Sequence, residues 1–280
     1  MAAVRRLAKE LANKLARGTL TLVPIVNEPA YEMGRRAGPD GLDLARTCPG
    51  RADGSPTEQI AHALTQLIQQ ADYFLDLHTG GGELLLVPMA GYMLHADPQV
   101  LEQQRRLARC LQLPVIWGTD PTLPGRSLSV ARDAGVPAIY TEYLGGGRFD
   151  AAGVNDVYAG CCRVLVELGL LDQLPPDVSP LTDPHPPIFV EDDRPQSGYL
   201  QLQHPAPWTG FFEPSVALGD TVQQGDVLGH LWTLAGEEPV LAAQAGLVLG
   251  LRTFARVNQG DALAVILETS QQLPEHLRWS

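Results

Sequence analysis

The sequence predicts an α/β fold, a mixed and largely parallel sheet flanked by helices, followed by a small all-β sandwich or barrel. Three observations carry this expectation. From the N-terminus to about residue 170, segments of helical period alternate with short apolar strand-like runs, the pattern of a sheet with helices on both faces. Residues 173–189 then gather Pro175, Pro176, Pro180, Pro184, Pro186 and Pro187, which make a stiff or extended connection. Beyond it come short strands and turns, in which Val222-Gln-Gln-Gly-Asp-Val-Leu228 is echoed 35 residues later by Val257-Asn-Gln-Gly-Asp-Ala-Leu263. Gly-Asp turns between alternating apolar residues make β-hairpins, and their repetition points to two related halves. The chain therefore divides into an α/β region at 1–172, a proline-rich linker at 173–189 and a β region at 190–280.

Element by element, residues 2–17 place Val4, Leu7, Leu11 and Leu15 on one helical face, with Gly18 as the residue that ends the helix. Residues 19–26 (TLTLVPIV) read as a buried strand, and a loop rich in Gly and Arg follows to Gly54. Ser55-Pro56-Thr57-Glu58 is a capping box with proline at the first helical position, opening a helix over 56–70. Residues 73–77 form a strand that ends at His78-Thr79-Gly80-Gly81-Gly82, and the apolar 83–94 forms another. Asp97-Pro98 caps a helix to about 111, 114–118 is a strand, and 127–134 is a short helix. Residues 138–143 (AIYTEY) run as a strand into Gly145-Gly146-Gly147, and a helix over 151–170 closes the region.

Composition narrows the function. A net charge of −12 and a pI near 4.9 argue against nucleic acid and anionic membrane as partners, and mean that an anionic ligand needs a local basic group. Lysine is nearly absent, Lys9 and Lys14 being the only two, a bias that with the Pro, Ala, Leu and Gly content fits a GC-rich bacterial genome. Cys48, Cys110, Cys161 and Cys162 form no C-x-x-C pair and read as buried thiols in a reducing cytoplasm. Residues 1–18 are charged and lack an apolar signal core, and no apolar run is long enough to span a bilayer.

In open α/β sheets ligands gather where strands end at loops, and His78 and Glu142 both stand at such ends beside glycine runs. On a strand, residues two apart point the same way, so Asp76 can orient His78 as a metal ligand; a hydrogen-bonded structural histidine is the other reading. Glu142, a carboxylate in an apolar strand, suits general base work if burial raises its pKa, or else makes a strand-end salt bridge. Arg46, in a loop of turn residues, offers a planar fork to a carboxylate, or is a surface arginine. Glu83, Arg126 and Arg148 lie near this site in sequence and receive no role.

Taken together, GTLTLVPIVNEPAYEMGRR, DGLDLARTCPG, SPTEQIAHAL, ADYFLDLHTGG and GVPAIYTEYLGGG occur in the order and spacing of the succinylglutamate desuccinylase/aspartoacylase family, which the chain resembles over about residues 5–170. The C-terminal β region is similar to that of many members. The resemblance implies a zinc-carboxypeptidase-like fold and a zinc-dependent hydrolase of N-acyl amino acids or similar amides of small carboxylates. It implies that His78 is the third zinc ligand, Glu142 the general base and Arg46 a substrate-carboxylate or oxyanion arginine.

Two departures stand out. The Asn of the family's Asn-Arg pair is Ala45 here. The family's first two zinc ligands lie in a Gly-x-His-Gly-x-Glu segment on a strand before the first helix. This chain begins within that helix, and none of His62, His95 or His185 has a Glu three residues later, so one Zn2+ ion is expected with an incomplete site. A misassigned start, a truncated remnant and a non-catalytic relative with a binding role are the alternatives. The β region repeats resemble biotinyl/lipoyl-like sandwiches, but it holds no lysine, which excludes covalent attachment of either group. It is expected to shape the site mouth or to mediate homo-oligomer contacts. An interaction protein working through this region is a further alternative, in which the α/β region stays folded without 190–280.

Overall fold

The computed structural model describes the chain except for residues 182–185, 201–202, 275–276, 278 and 280. Pro184 and His185 thus lie outside the described residues.

The predicted architecture is present. One mixed sheet holds β1 (Phe74–His78), β5 (Ala138–Glu142), β3 (Met89–Met93), β4 (Val115–Thr119) and β6 (Ile188–Glu191), in that spatial order. Only the β3–β5 pairing is antiparallel; β1–β5, β3–β4 and β4–β6 are parallel. β6 spans the boundary drawn between linker and β region, and it closes the sheet beside β4. Helices α3 (Pro56–Gln69), α4 (Pro98–Cys110), α5 (Ser127–Asp133) and α6 (Ala151–Glu167) flank it, each at its expected place. The start of α3 is the predicted capping box. Ser55 N–H donates to the Glu58 carboxylate at 2.7 Å, while the Ser55 hydroxyl donates to Asp40, also at 2.7 Å.

The N-terminal segments differ from expectation. Helix α1 stops at Glu10 (Ala2–Glu10), well short of residue 17. Its apolar face is buried as predicted at Val4, Leu7 and Leu11, but Asn13 takes a left-handed φ of 61°, which breaks the helix, and Leu15 reaches the α6 cluster from beyond that turn. Residues 19–26 do not form a strand. Leu20 and Leu22 pack against the α6 cluster, but Pro24 lacks an N–H and the segment has no ladder partner among the described residues. The loop that follows contains a short helix, α2 (Glu28–Glu32), and a 3-10 turn at Leu44–Arg46.

The apolar stretch 83–94 is two strands, not one. β2 (Leu84–Leu86) and β3 are separated by Val87-Pro88 and enter different sheets. β2 pairs with β11 (Gly246–Arg252) in the C-terminal region, where β11 also pairs with β13 (Ala264–Leu267) and β8 (Thr221–Val222). The second C-terminal sheet runs β10 (Gly236–Leu241), β9 (Val227–Thr233), β7 (Gly210–Pro214), β12 (Arg256–Val257), antiparallel throughout. A single apolar cluster runs from Cys48, Ala61 and Trp117 in the α/β part to Leu228, Leu247 and Val265 in the β part.

The repeated Gly-Asp segments make the same turn. Asp226 accepts from Gln223 N–H at 2.7 Å and Asp261 from Asn258 N–H at 2.8 Å. Gly225 and Gly260 take φ values of 91° and 90°, which a side chain rarely adopts. A third copy, Val216-Ala-Leu-Gly219-Asp220-Thr-Val222, repeats the geometry, with Asp220 accepting from Ala217 N–H at 2.8 Å.

Candidate active site

β1 and β5 are parallel neighbours in a register that sets His78 beside Glu142 and Asp76 beside Tyr140. The glycine runs beyond them are explained by packing. Gly80 N–H donates to Leu144 O at 2.8 Å and Gly146 N–H to Leu84 O at 2.9 Å, so the two loops lie against one another. A Cβ on Gly145 would lie 2.4 Å from Leu84 O, leaving no space for a side chain. Across the sheet, Gly91 makes the room that the Tyr140 ring occupies.

Asp76 and His78 point to the same side, as residues two apart on a strand must. His78 Nε2 lies 2.9 Å from Asp76 Oδ1, and the Ser127 hydroxyl, at the first residue of α5, donates to Asp76 Oδ2. The Asp76 carboxylate raises the His78 pKa to about 9 against the opposing effect of burial, with Glu142 adding to the rise. That contact occupies Nε2, while Nδ1 of the ring has no partner among the described residues. Burial raises the Glu142 pKa to about 7, His78 pulling it back and Asp76 pushing it further up. Oε2 of Glu142 is buried without a hydrogen-bond partner.

Arg46 ends the 3-10 turn, whose first residue is capped by the Asp43 carboxylate accepting from Ala45 N–H at 3.0 Å. The turn packs on the loop before α5, where Cys48 N–H donates to Gly125 O at 3.1 Å. This brings Arg46 close to Arg126, a residue to which the sequence assigned no role. Tyr199 stands between them. Its ring lies 4.4 Å from the Arg46 guanidinium and 5.0 Å from that of Arg126, and its hydroxyl accepts from Arg46 Nε at 2.8 Å. Burial lowers the Arg126 pKa, and the Arg46 charge lowers it further. Arg126 also acts electrostatically on Tyr140, the register partner of Asp76, while the arginine whose charge reaches both His78 and Glu142 is Arg36. Of the other residues near the site in sequence, Glu83 faces away, pairing with Arg252 at 3.3 Å, and Arg148 is exposed.

The arrangement holds a proton-exchanging carboxyl and an oriented imidazole, with two guanidinium groups stacked on one Tyr199 ring, groups that suit an amide carrying a carboxylate. It does not complete a metal centre. Nδ1 of His78 can serve as a ligand atom only in the neutral ring, and among the described residues no group of three His, Cys, Asp or Glu gathers to hold an ion, whereas a catalytic zinc normally needs three protein ligands.

Residues 1–168 match the model of the succinylglutamate desuccinylase/aspartoacylase catalytic domain. The chain belongs to that family. It is a family of deacylases, hydrolases of amide bonds. A relative in Halomonas elongata, N-alpha-acetyl-L-2,4-diaminobutyric acid deacetylase, is 34% identical over 281 residues, 97% of this chain and 78% of the relative. Among solved structures, a succinylglutamate desuccinylase from Silicibacter sp. TM1040 superposes with a TM-score of 0.81 at 27% identity, covering 95% of this chain and 79% of that one. The product-bound ectoine utilization protein EutE (DoeB) from Ruegeria pomeroyi gives 0.80 at 27% identity, with 95% and 79% covered.

Proposed function

We propose that this chain is a deacylase of N-acyl amino acids, with Glu142 as its proton carrier and Arg46 and Arg126 as its carboxylate clamp. The observation that carries the reading is the Glu142 carboxyl, one oxygen buried without a partner, in register with an imidazole already oriented by Asp76. A carboxyl with a pKa near 7 accepts and returns a proton at neutral pH. It takes the proton of the attacking water as oxygen adds to the acyl carbon. It then delivers that proton to the leaving nitrogen as the C–N bond breaks, giving a carboxylate and an amine. Arg46 and Arg126, held together by the Tyr199 ring, bind the amino acid's carboxylate. Ala45 removes one polar contact from the same loop.

Zinc dependence belongs to this proposal and is supported by the family and by the open ring nitrogen of His78. One imidazole is not a zinc centre, so no step above is routed through the ion. Four buried cysteines without disulfides fit a reducing cytoplasm, and no helix among the described residues is long and apolar enough to cross a membrane.

The test measures acetate release from Nα-acetyl-L-2,4-diaminobutyrate and other Nα-acetyl amino acids, with and without added zinc, together with zinc content by elemental analysis. Hydrolysis that needs zinc, and that falls on the order of 10²-fold or more in kcat for Glu142→Gln with KM little changed, is expected. Ligand binding with neither zinc nor turnover would replace this reading with that of a binding protein.

A further inference from the structure

The outer face of the β10-β9-β7-β12 sheet carries a pattern that the hydrolase reading does not use. The strand registers align Arg256 with Phe211, Phe211 with Trp232, and Trp232 with Glu237, one residue from each of the four strands. Residues directly opposite in antiparallel strands share a face, and this face is turned to solvent. Phe211 is 54% exposed and Trp232 46%, whereas Phe212 and Leu231, next to them in sequence, are 1% and 0% exposed beneath the sheet. The row therefore reads positive, aromatic, aromatic, negative. One row further along the strands, Glu213 stands opposite His230. The Trp232 indole N–H already donates to Glu213 at 2.9 Å, so what the tryptophan offers outward is its apolar ring.

We propose that this face binds a second copy of the same chain, the two sheets packing face to face about a two-fold axis that lies in the interface, parallel to the strands and between β7 and β9. That axis reverses the row. It sets Arg256 against Glu237 of the second copy, Phe211 against its Trp232, and Glu213 against its His230, so every opposed pair is complementary and each occurs twice. An axis running across the strands instead sets Arg256 on Arg256 and Glu237 on Glu237, which like-charge repulsion disfavours. Each copy sets Arg256 and His230, the latter 3.6 Å from Glu237 of its own chain, among two glutamates, so on a chain whose net charge is −12 this is a place where two copies approach with less of the repulsion their surfaces otherwise impose. Association through the β10 edge is disfavoured. β10 is an edge strand carrying Glu237, Glu238 and Pro239, and the proline has no N–H to offer a neighbouring strand.

The test is the mass in solution by sedimentation equilibrium over a range of concentrations. The wild-type chain is expected at twice its 30.2 kDa. Glu237→Arg and Arg256→Glu, each alone, turn both ion pairs into like-charged contacts and should weaken the dimer by at least about tenfold. Mixing the two variants should restore it. The arginine introduced into one chain then meets the glutamate introduced into the other, and the native Arg256 of the first meets the native Glu237 of the second. Trp232→Arg breaks the apolar centre and should also give monomers. A monomeric wild type, a dimer indifferent to Trp232→Arg, or single variants that stay monomeric when mixed would each overturn the proposal.

Discussion

Tyr199 holds two arginines against one ring, an arrangement that like charges resist unless an aromatic face and a hydroxyl offset the repulsion. Its removal should therefore be felt in substrate binding more than in turnover. Tyr199→Phe loses the hydrogen bond to Arg46, about 1 kcal/mol, and should raise KM several-fold with kcat nearly unchanged. Tyr199→Ala also loses both ring contacts and should raise KM further. Steady-state kinetics on an N-acetyl amino acid checks the order, and an equal fall in kcat for both variants would show that Tyr199 does not act through ground-state binding. The residues of the site differ in how well the sequence announces them. Asp76 and His78 are legible because strand period alone puts them on one side. Glu142 is legible as a carboxylate that ends an apolar strand. Tyr199 is not, since 153 residues separate it from the arginine it holds and nothing local marks it. Arg126 lies in a plain turn before a short helix, and only the packing of the 3-10 turn on Gly125 gives it a purpose.

Elements with their own start and stop signals were legible to within a residue or two, as in α3, whose capping box forms, and α4, whose N-cap Asp97 accepts from Gln99 N–H at 2.8 Å. Residues 19–26 show the limit, because a strand requires a partner and the pattern of one segment cannot report whether a partner lies beside it. The Gly-Asp turns were legible as turns, but not as unequal ones. Asp226 serves its turn, whereas Asp261 also lies 3.1 Å from Arg252, whose side chain is 4% exposed. Asp226→Ala should cost about 0.5–2 kcal/mol, the range for losing a local carboxylate-to-backbone bond. Asp261→Ala additionally strips a buried guanidinium of one of its two carboxylates and should cost more, approaching the roughly 3–5 kcal/mol of a broken buried pair. Urea unfolding midpoints compared at constant slope check this, and equal losses would show that Glu83 alone suffices for Arg252.

Across the whole molecule, the division into an α/β part and a β part is clear in the sequence, yet the core does not respect it. β2 leaves the α/β part to pair with β11, Val87 N–H donates to Leu249 O at 2.8 Å, and Leu86 and Leu249 are both buried in the shared cluster. The reason this escaped the sequence lies in residues 83–94, a mostly apolar run broken only at Pro88, whose two halves bury equally well and so carry no mark of which sheet each one enters. If the parts were separable, a chain ending at residue 204 would fold by itself, since it keeps all five strands of the mixed sheet. The shared cluster leads to the opposite expectation. Removing β11 leaves the N–H and C=O groups of β2 unpaired and opens Leu85, Leu86 and Met89 to water, in a sheet whose β1 edge has no further strand beside it among the described residues. The shortened chain should bind a hydrophobic dye and lose its sharp thermal transition, while retaining helical circular dichroism. A cooperative transition in that chain would instead show that the β region is a removable cover over a self-sufficient catalytic domain.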